Sequence, residues 1–385
     1  MSETDSSARL LTSAALGIFL VTIVIGILNG MDIWEPSHNM LLTHVHAGTL
    51  GWITLAVFAA AIRMFGGEGS SRSVAIFAVA ATVLYVVAFA TTTGIFRPIA
   101  GTLELVAIVW MLVWVAQRYS SSPKETGHIG MLLAMVSLTF GGILGVLLGL
   151  YIANGSLPGL SNDLASTLAG AHPPAMLIGY LVLAGAAIVH WLLGGSQTRP
   201  GRLVMWALFL GGVAANLAFI LDIEALIQVA TGLEVLAIIT FTVHMWGHIK
   251  PSAWGGVDDF ARIGALFLVV GVGLLVYVVQ LVTSGELDPE TGTGPIEVLL
   301  AFDHAMFIGV MTNALFALVG RSVSKSPPSA LLWLVNGGVV LFLVGLVVDN
   351  DLLVRIGAPV MGLSLIYAVF FFLTNSRSAS AATAV

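Results

Sequence analysis

Residues 41–63 read LLTHVHAGTLGWITLAVFAAAIR, an apolar run that carries two histidines, His44 and His46, in its first third. A helix crosses the hydrocarbon core of a bilayer with about 20 predominantly apolar residues. This run reaches that length, and its apolar residues are continuous rather than alternating, so it reads as a helix and not as a barrel strand. Runs of similar length recur near 10–30, 74–94, 98–118, 128–152, 164–193, 202–221, 224–248, 260–283, 296–319, 329–348 and 352–374. The expected fold is therefore all-α and integral to the membrane, with about twelve transmembrane helices. The boundary least marked is the seventh against the eighth, where only Leu221-Asp222-Ile223-Glu224 intervenes.

Composition agrees. Of 385 residues, 58% are hydrophobic and 9% charged, and the mean hydropathy is +1.02. Soluble domains carry about 25% charged residues, so this chain has too little charge to cover itself with a water-facing surface, and the lipid bilayer is its expected partner. The net charge of −6 argues against nucleic acid. The absence of cysteine excludes disulfides, thiolate metal sites and covalent haem attachment. The opening, MSETDSSARL, is polar and acidic without a small-residue cleavage site, so the first apolar run is expected to be a retained helix rather than a signal peptide.

Cytoplasmic loops of membrane proteins are enriched in Lys and Arg. With the N-terminus inside, only Arg97 and Arg355 of the 14 Lys and Arg residues fall outside; Arg9, Arg63, Arg118, Arg321 and Arg377 are among those inside. The outer loops are acidic, with Asp32, Glu35, Asp163, Asp222, Glu224, Glu286, Asp288, Glu290, Asp349 and Asp351. Both termini are expected in the cytoplasm of a prokaryotic cell, with the chain in its plasma membrane.

The run at 41–63 has two echoes. THVHAGTLGW at 43–52 matches AHPPAMLIGY at 171–180 and AFDHAMFIGV at 301–310, which aligns Gly51, Gly179 and Gly309 at offsets of 128 and 130. Arg97 meets Arg355 at the summed offset of 258, and Glu104 meets Glu234 if the first offset slips by two residues. Three four-helix repeats follow, at 1–122, 123–254 and 255–385. In this register His44 matches His172, and His46 matches His304, while Phe302 stands at the other position of the last repeat. All four histidines fall at similar depth in the outer half of helices 2, 6 and 10. Intramembrane ionisable residues mark function by default, although a histidine also serves simply to bond a neighbouring helix.

Imidazole is the usual nitrogen ligand of haem iron. Residues two apart on a helix project about 200° apart, so His44 and His46 face different neighbours, one of them helix 10 with His304 and the other helix 6 with His172. Small residues beside them (Ala47, Gly48, Gly51, Ala175, Gly179, Ala305, Gly309) admit a flat macrocycle or a closely packed helix.

The chain resembles the haem-copper oxidase subunit I superfamily, which includes the nitric oxide reductases. The likeness lies in twelve helices, cytoplasmic ends and threefold four-helix units, and locally in His44-Val45-His46 with Gly51-Trp52 and in His304-Ala305-Met306. It implies a low-spin haem b held between helix 2 and helix 10, by His46 and His304 or, as second choice, by His44 and His304. It also implies that Arg355 and Arg97 receive the haem propionates. The copper centre is expected to be absent, because helix 7 has no histidine and Phe302 replaces the second histidine of helix 10. His172 then remains to pair with His44 around a second haem or a metal ion. The implied work is electron transfer or binding of a diatomic gas (nitric oxide or oxygen), with an outer-face electron-transfer protein or a further subunit as partner. A divergent oxidoreductase using that second site, and a haem-free transporter, are the alternatives.

His244 and His248, four apart on one face of helix 8, have metal-ligand spacing, and also suit a helix-end anchor beside Trp246. His38, His128 and His190 show no partner in the sequence. Glu104 and Glu234 are intramembrane carboxyls, and Asp303 stands where it could orient His304.

Overall fold

The computed structural model describes residues 3–66, 71–195, 197–288 and 292–376; Glu290 and Arg377, used above for orientation, lie outside them. Twelve helices are long and apolar enough to span a membrane: α1 (Glu3–Gly30), α2 (His38–Phe65), α3 (Ser71–Thr91), α4 (Phe96–Tyr119), α5 (Thr126–Asn154), α6 (Asn162–Leu192), α7 (Arg199–Leu221), α8 (Glu224–Ile249), α9 (Asp259–Thr283), α10 (Glu297–Gly320), α11 (Ser329–Val347) and α12 (Asp351–Thr374). Among the described residues there is no strand beyond two single-pair bridges. The chain is an all-α, multi-span membrane protein. We call the face with the start of α1 and the end of α12 the terminal face, and the opposite one the far face.

The narrow boundary between α7 and α8 is a tight reversal. Asp222 takes a left-handed conformation, φ 53°, and its amide closes α7 on the Ala218 carbonyl. Asp32 and Asp349 take the same left-handed conformation just past α1 and α11, with φ 58° and 51°. Asp tolerates this region because its short polar side chain bonds locally.

Three helices are central. In α2, α6 and α10, 78%, 78% and 72% of the most apolar stretch is buried, against 28–56% in the other nine. Each touches the other two. Trp52 Nε1 donates to Thr312 Oγ1 at 2.9 Å, joining α2 to α10, and Thr54 and Tyr180 hydroxyls meet at 3.4 Å, joining α2 to α6. Gly185 of α6 packs on Val310 and Met311 of α10. Lipid tails are as apolar as leucine, so close packing and interhelical hydrogen bonds hold such a bundle more than hydrophobic burial does. The ring closes where α12 meets α1: Gly362 packs on Ile27, and a Cβ on Gly30 would lie 2.6 Å from Ala358 Cβ.

The central helices share one irregularity. Each widens into a π-helical stretch, at Ala47–Thr54, Ala175–Leu181 and Ala305–Thr312. The first residues stand 128 and 258 positions apart, the spacing found in the sequence, and each stretch follows directly on a histidine-bearing turn. Such i→i+5 insertions cluster at functional sites.

Candidate functional site: four histidines around the central helices

The histidines stand in the far-face turns of the central helices, six to ten residues in from the helix starts, or roughly 9–15 Å along the axis at 1.5 Å per residue. Each has Nδ1 on a backbone carbonyl. His44 uses Thr22 of α1 at 2.9 Å, and His172 uses Gly141 of α5 at 2.8 Å. His46 uses Leu42 and His304 uses Leu300, each four residues earlier in its own helix and each at 2.7 Å. A carbonyl only accepts, so Nδ1 carries the proton and Nε2 keeps its lone pair. None of the four Nε2 atoms has a hydrogen-bond partner among the described residues. Metal-ligating histidines are oriented by this same bond.

The pairing differs from the expected one. His304 comes to His44, not to His46: their ring centres are 6.5 Å apart with planes inclined by 29°. His46 instead turns to α3 and α4. Its ring lies 4.1 Å from Phe89 and 5.4 Å from Tyr85, and it is within electrostatic reach of His172 and Arg97. His44 lies against His304 and α1, whereas His172 bonds α5, so no contact joins His44 to His172 among the described residues. The reason is the direction in which the chain winds. With α12 closed onto α1, α10 lies on the α1 side of α2, where Thr22 holds His44, and α6 lies on the side of His46. Hydrophobic spacing along a chain carries no information on that direction.

Glycines make room beside both cross-helix histidines. A Cβ on Gly26 would lie 2.9 Å from His44 Cε1, and one on Gly145 would lie 2.8 Å from His172 Cε1. On the first pair, the Phe342 ring of α11 sits 4.9 Å from His304. Gly357 of α12 packs on the backbone of Phe342, and two residues before it Arg355 pairs with Asp32 at 2.8 Å, both exposed. Beside His46, Arg97 Nη2 donates to the Phe89 carbonyl at 3.0 Å and the guanidinium lies 4.9 Å from the Phe89 ring centre. Its Nε is buried without a partner among the described residues.

The other candidates fall elsewhere. Near the terminal face, His244 Nε2 meets Thr198 Oγ1 at 3.3 Å, and its ring stacks on His190 at 5.7 Å; the His248 carbonyl accepts from Arg262 Nε at 3.0 Å. His190 and His128 thus have neighbours that the sequence did not reveal, His128 Nε2 lying 2.9 Å from the Met64 carbonyl. Asp303 is not what orients His304, since Leu300 does so. Glu104 accepts from Thr82 Oγ1 at 3.1 and 3.0 Å, whereas the buried carboxyl of Glu234 has no partner among the described residues. Among the described residues no three or more His, Asp and Glu side chains gather as a metal site.

No family model matches the chain, and no curated protein matches it.

Proposed function

We propose that this chain is a b-type haem protein of the membrane that works in electron transfer, with His44 and His304 as the axial ligands of a low-spin haem. The observation that carries this reading is the pair itself: two imidazoles with free Nε2 lone pairs and ring centres 6.5 Å apart. Two imidazoles on opposite sides of one metal atom stand about 6 Å apart, from metal–nitrogen bonds of about 2 Å and about 1 Å from nitrogen to ring centre. A bare transition ion takes about four protein ligands, and the pair offers two. Haem iron takes its other four nitrogens from the macrocycle, so two suffice.

The chain's residues have definite tasks in this reading. The Thr22 and Leu300 carbonyls fix the tautomer and orientation of the two rings. Gly26 leaves space at His44, and Phe342 gives His304 an apolar wall. Arg355 is the cation at the far-face end for an anionic ring substituent. Without cysteine, attachment is non-covalent. A haem held there by His44 and His304 would supply one-electron redox chemistry, which is why electron transfer is the proposed work. The relation to the haem-copper oxidase superfamily is part of the proposal, and so is a far face that lies outside the cell.

The test is a reduced-minus-oxidised absorption spectrum of the purified protein. A sharp alpha band should appear, and His304→Ala should remove the low-spin signal of this site, because one remaining imidazole leaves the iron high-spin or weakly held. A colourless protein, or an unchanged spectrum in His304→Ala, would sink the assignment and favour a haem-free transporter.

A further inference from the structure

The geometry points to a second bis-histidine haem site, formed by His46 and His172 with Arg97; the inference rests on the proposed function and extends it. The two pairs are built alike. Each joins one histidine whose Nδ1 reaches a carbonyl of the preceding helix (His44 at 2.9 Å, His172 at 2.8 Å) to one held by its own helix four residues back (His304 and His46, both at 2.7 Å). Each cross-helix member has a glycine against Cε1. One turn beyond His46 and His172 stand Leu50 and Met176, which pack into one cluster with Tyr85 and Ala100. The two histidines therefore open onto the same space between α2, α3, α4 and α6.

The repeat register explains why there are two such sites and not three. The first pair takes His304 from one repeat, His44 from the next around the ring, and Arg355 from the same repeat as His304. The second takes His46, His172 and Arg97 in the same three roles. The remaining interface, α6 against α10, would draw on the equivalent positions Pro174 and Phe302, with Ala225 or Ile227 in place of the arginine. All three missing groups belong to one interface. Losses scattered at random would have broken the other two sets. Arg97 adds an observation of its own, since its buried Nε has no partner among the described residues; a propionate carboxylate would satisfy it.

The experiment is haem per chain by the pyridine haemochrome assay, together with low-spin electron paramagnetic resonance, on the full chain in detergent. The wild type should hold two haems with two low-spin signals. His172→Ala should halve the haem and leave the His44/His304 signal unchanged, and His304→Ala should leave the complementary signal. His172→Met should keep two haems with one spectrum shifted. A wild type with one haem overturns this inference and leaves the proposed function standing, whether or not the variants fold. Two haems retained with both signals unaltered in His172→Ala also overturn it. A wild type with none ends both.

Discussion

Nδ1 of each site histidine is tied to a carbonyl, and that single bond decides which ring nitrogen stays basic. For His44 the carbonyl belongs to another helix, so anything that shifts α1 against α2 acts on the ring. Gly26→Val is a direct probe, because a Cβ there would lie 2.9 Å from His44 Cε1. It should displace the ring and abolish the low-spin signal of the first pair, at a cost of about 1–3 kcal/mol from overpacking. Gly17→Val on the same helix, with nothing within 4 Å of its Cβ, should leave the spectrum intact. Arg355→Gln should be mild, since its pair with Asp32 is exposed and such pairs are worth about 0–1 kcal/mol. Glu234 is a different case, a fully buried carboxyl without a partner among the described residues. An unsatisfied buried polar group costs about 1–3 kcal/mol, so Glu234→Met should raise the thermal midpoint in detergent. A lowered midpoint would mean that the carboxyl has a bonding role in the folded protein.

At the scale of the helix, the π-helical stretches couple the histidine turns to the core below. Ala47–Thr54 carries the extra residue of a widened turn. Its removal would let α2 run as a continuous α-helix, rotating His44 and His46 by about 100° relative to Leu55–Phe65. Deleting Thr49, which faces outward, should therefore abolish both low-spin signals while the helical circular dichroism is kept. Unchanged spectra would mean that the widened turn only relieves packing. The helices were legible because span length and continuous apolarity leave a lipid-embedded chain few choices. The widened turns were not, since an i→i+5 stretch needs no residue that an ordinary helix rejects.

For the whole molecule, the excess of Lys and Arg at the terminal face predicts its side of the membrane. The chain lacks cysteine, so single cysteines report cleanly. Ser284→Cys at the far face should react with an impermeant thiol reagent on intact cells, and Ser121→Cys at the terminal face should not. The reverse result would invert the topology and put Arg97 and Arg355 inside.

The sequence by itself determined twelve spans, because lipid requires every backbone group to be bonded within its own helix. It also located the four histidines and two arginines, since ionisable groups are conspicuous in apolar runs. Which histidine meets which was decided by tertiary structure alone. His44 and His46 project to opposite sides of α2 whatever the fold, but only the winding of the ring, closed by α12 on α1, sets α10 beside one and α6 beside the other. Periodicity fixes a residue's angle about its own helix axis, and packing fixes what waits at that angle.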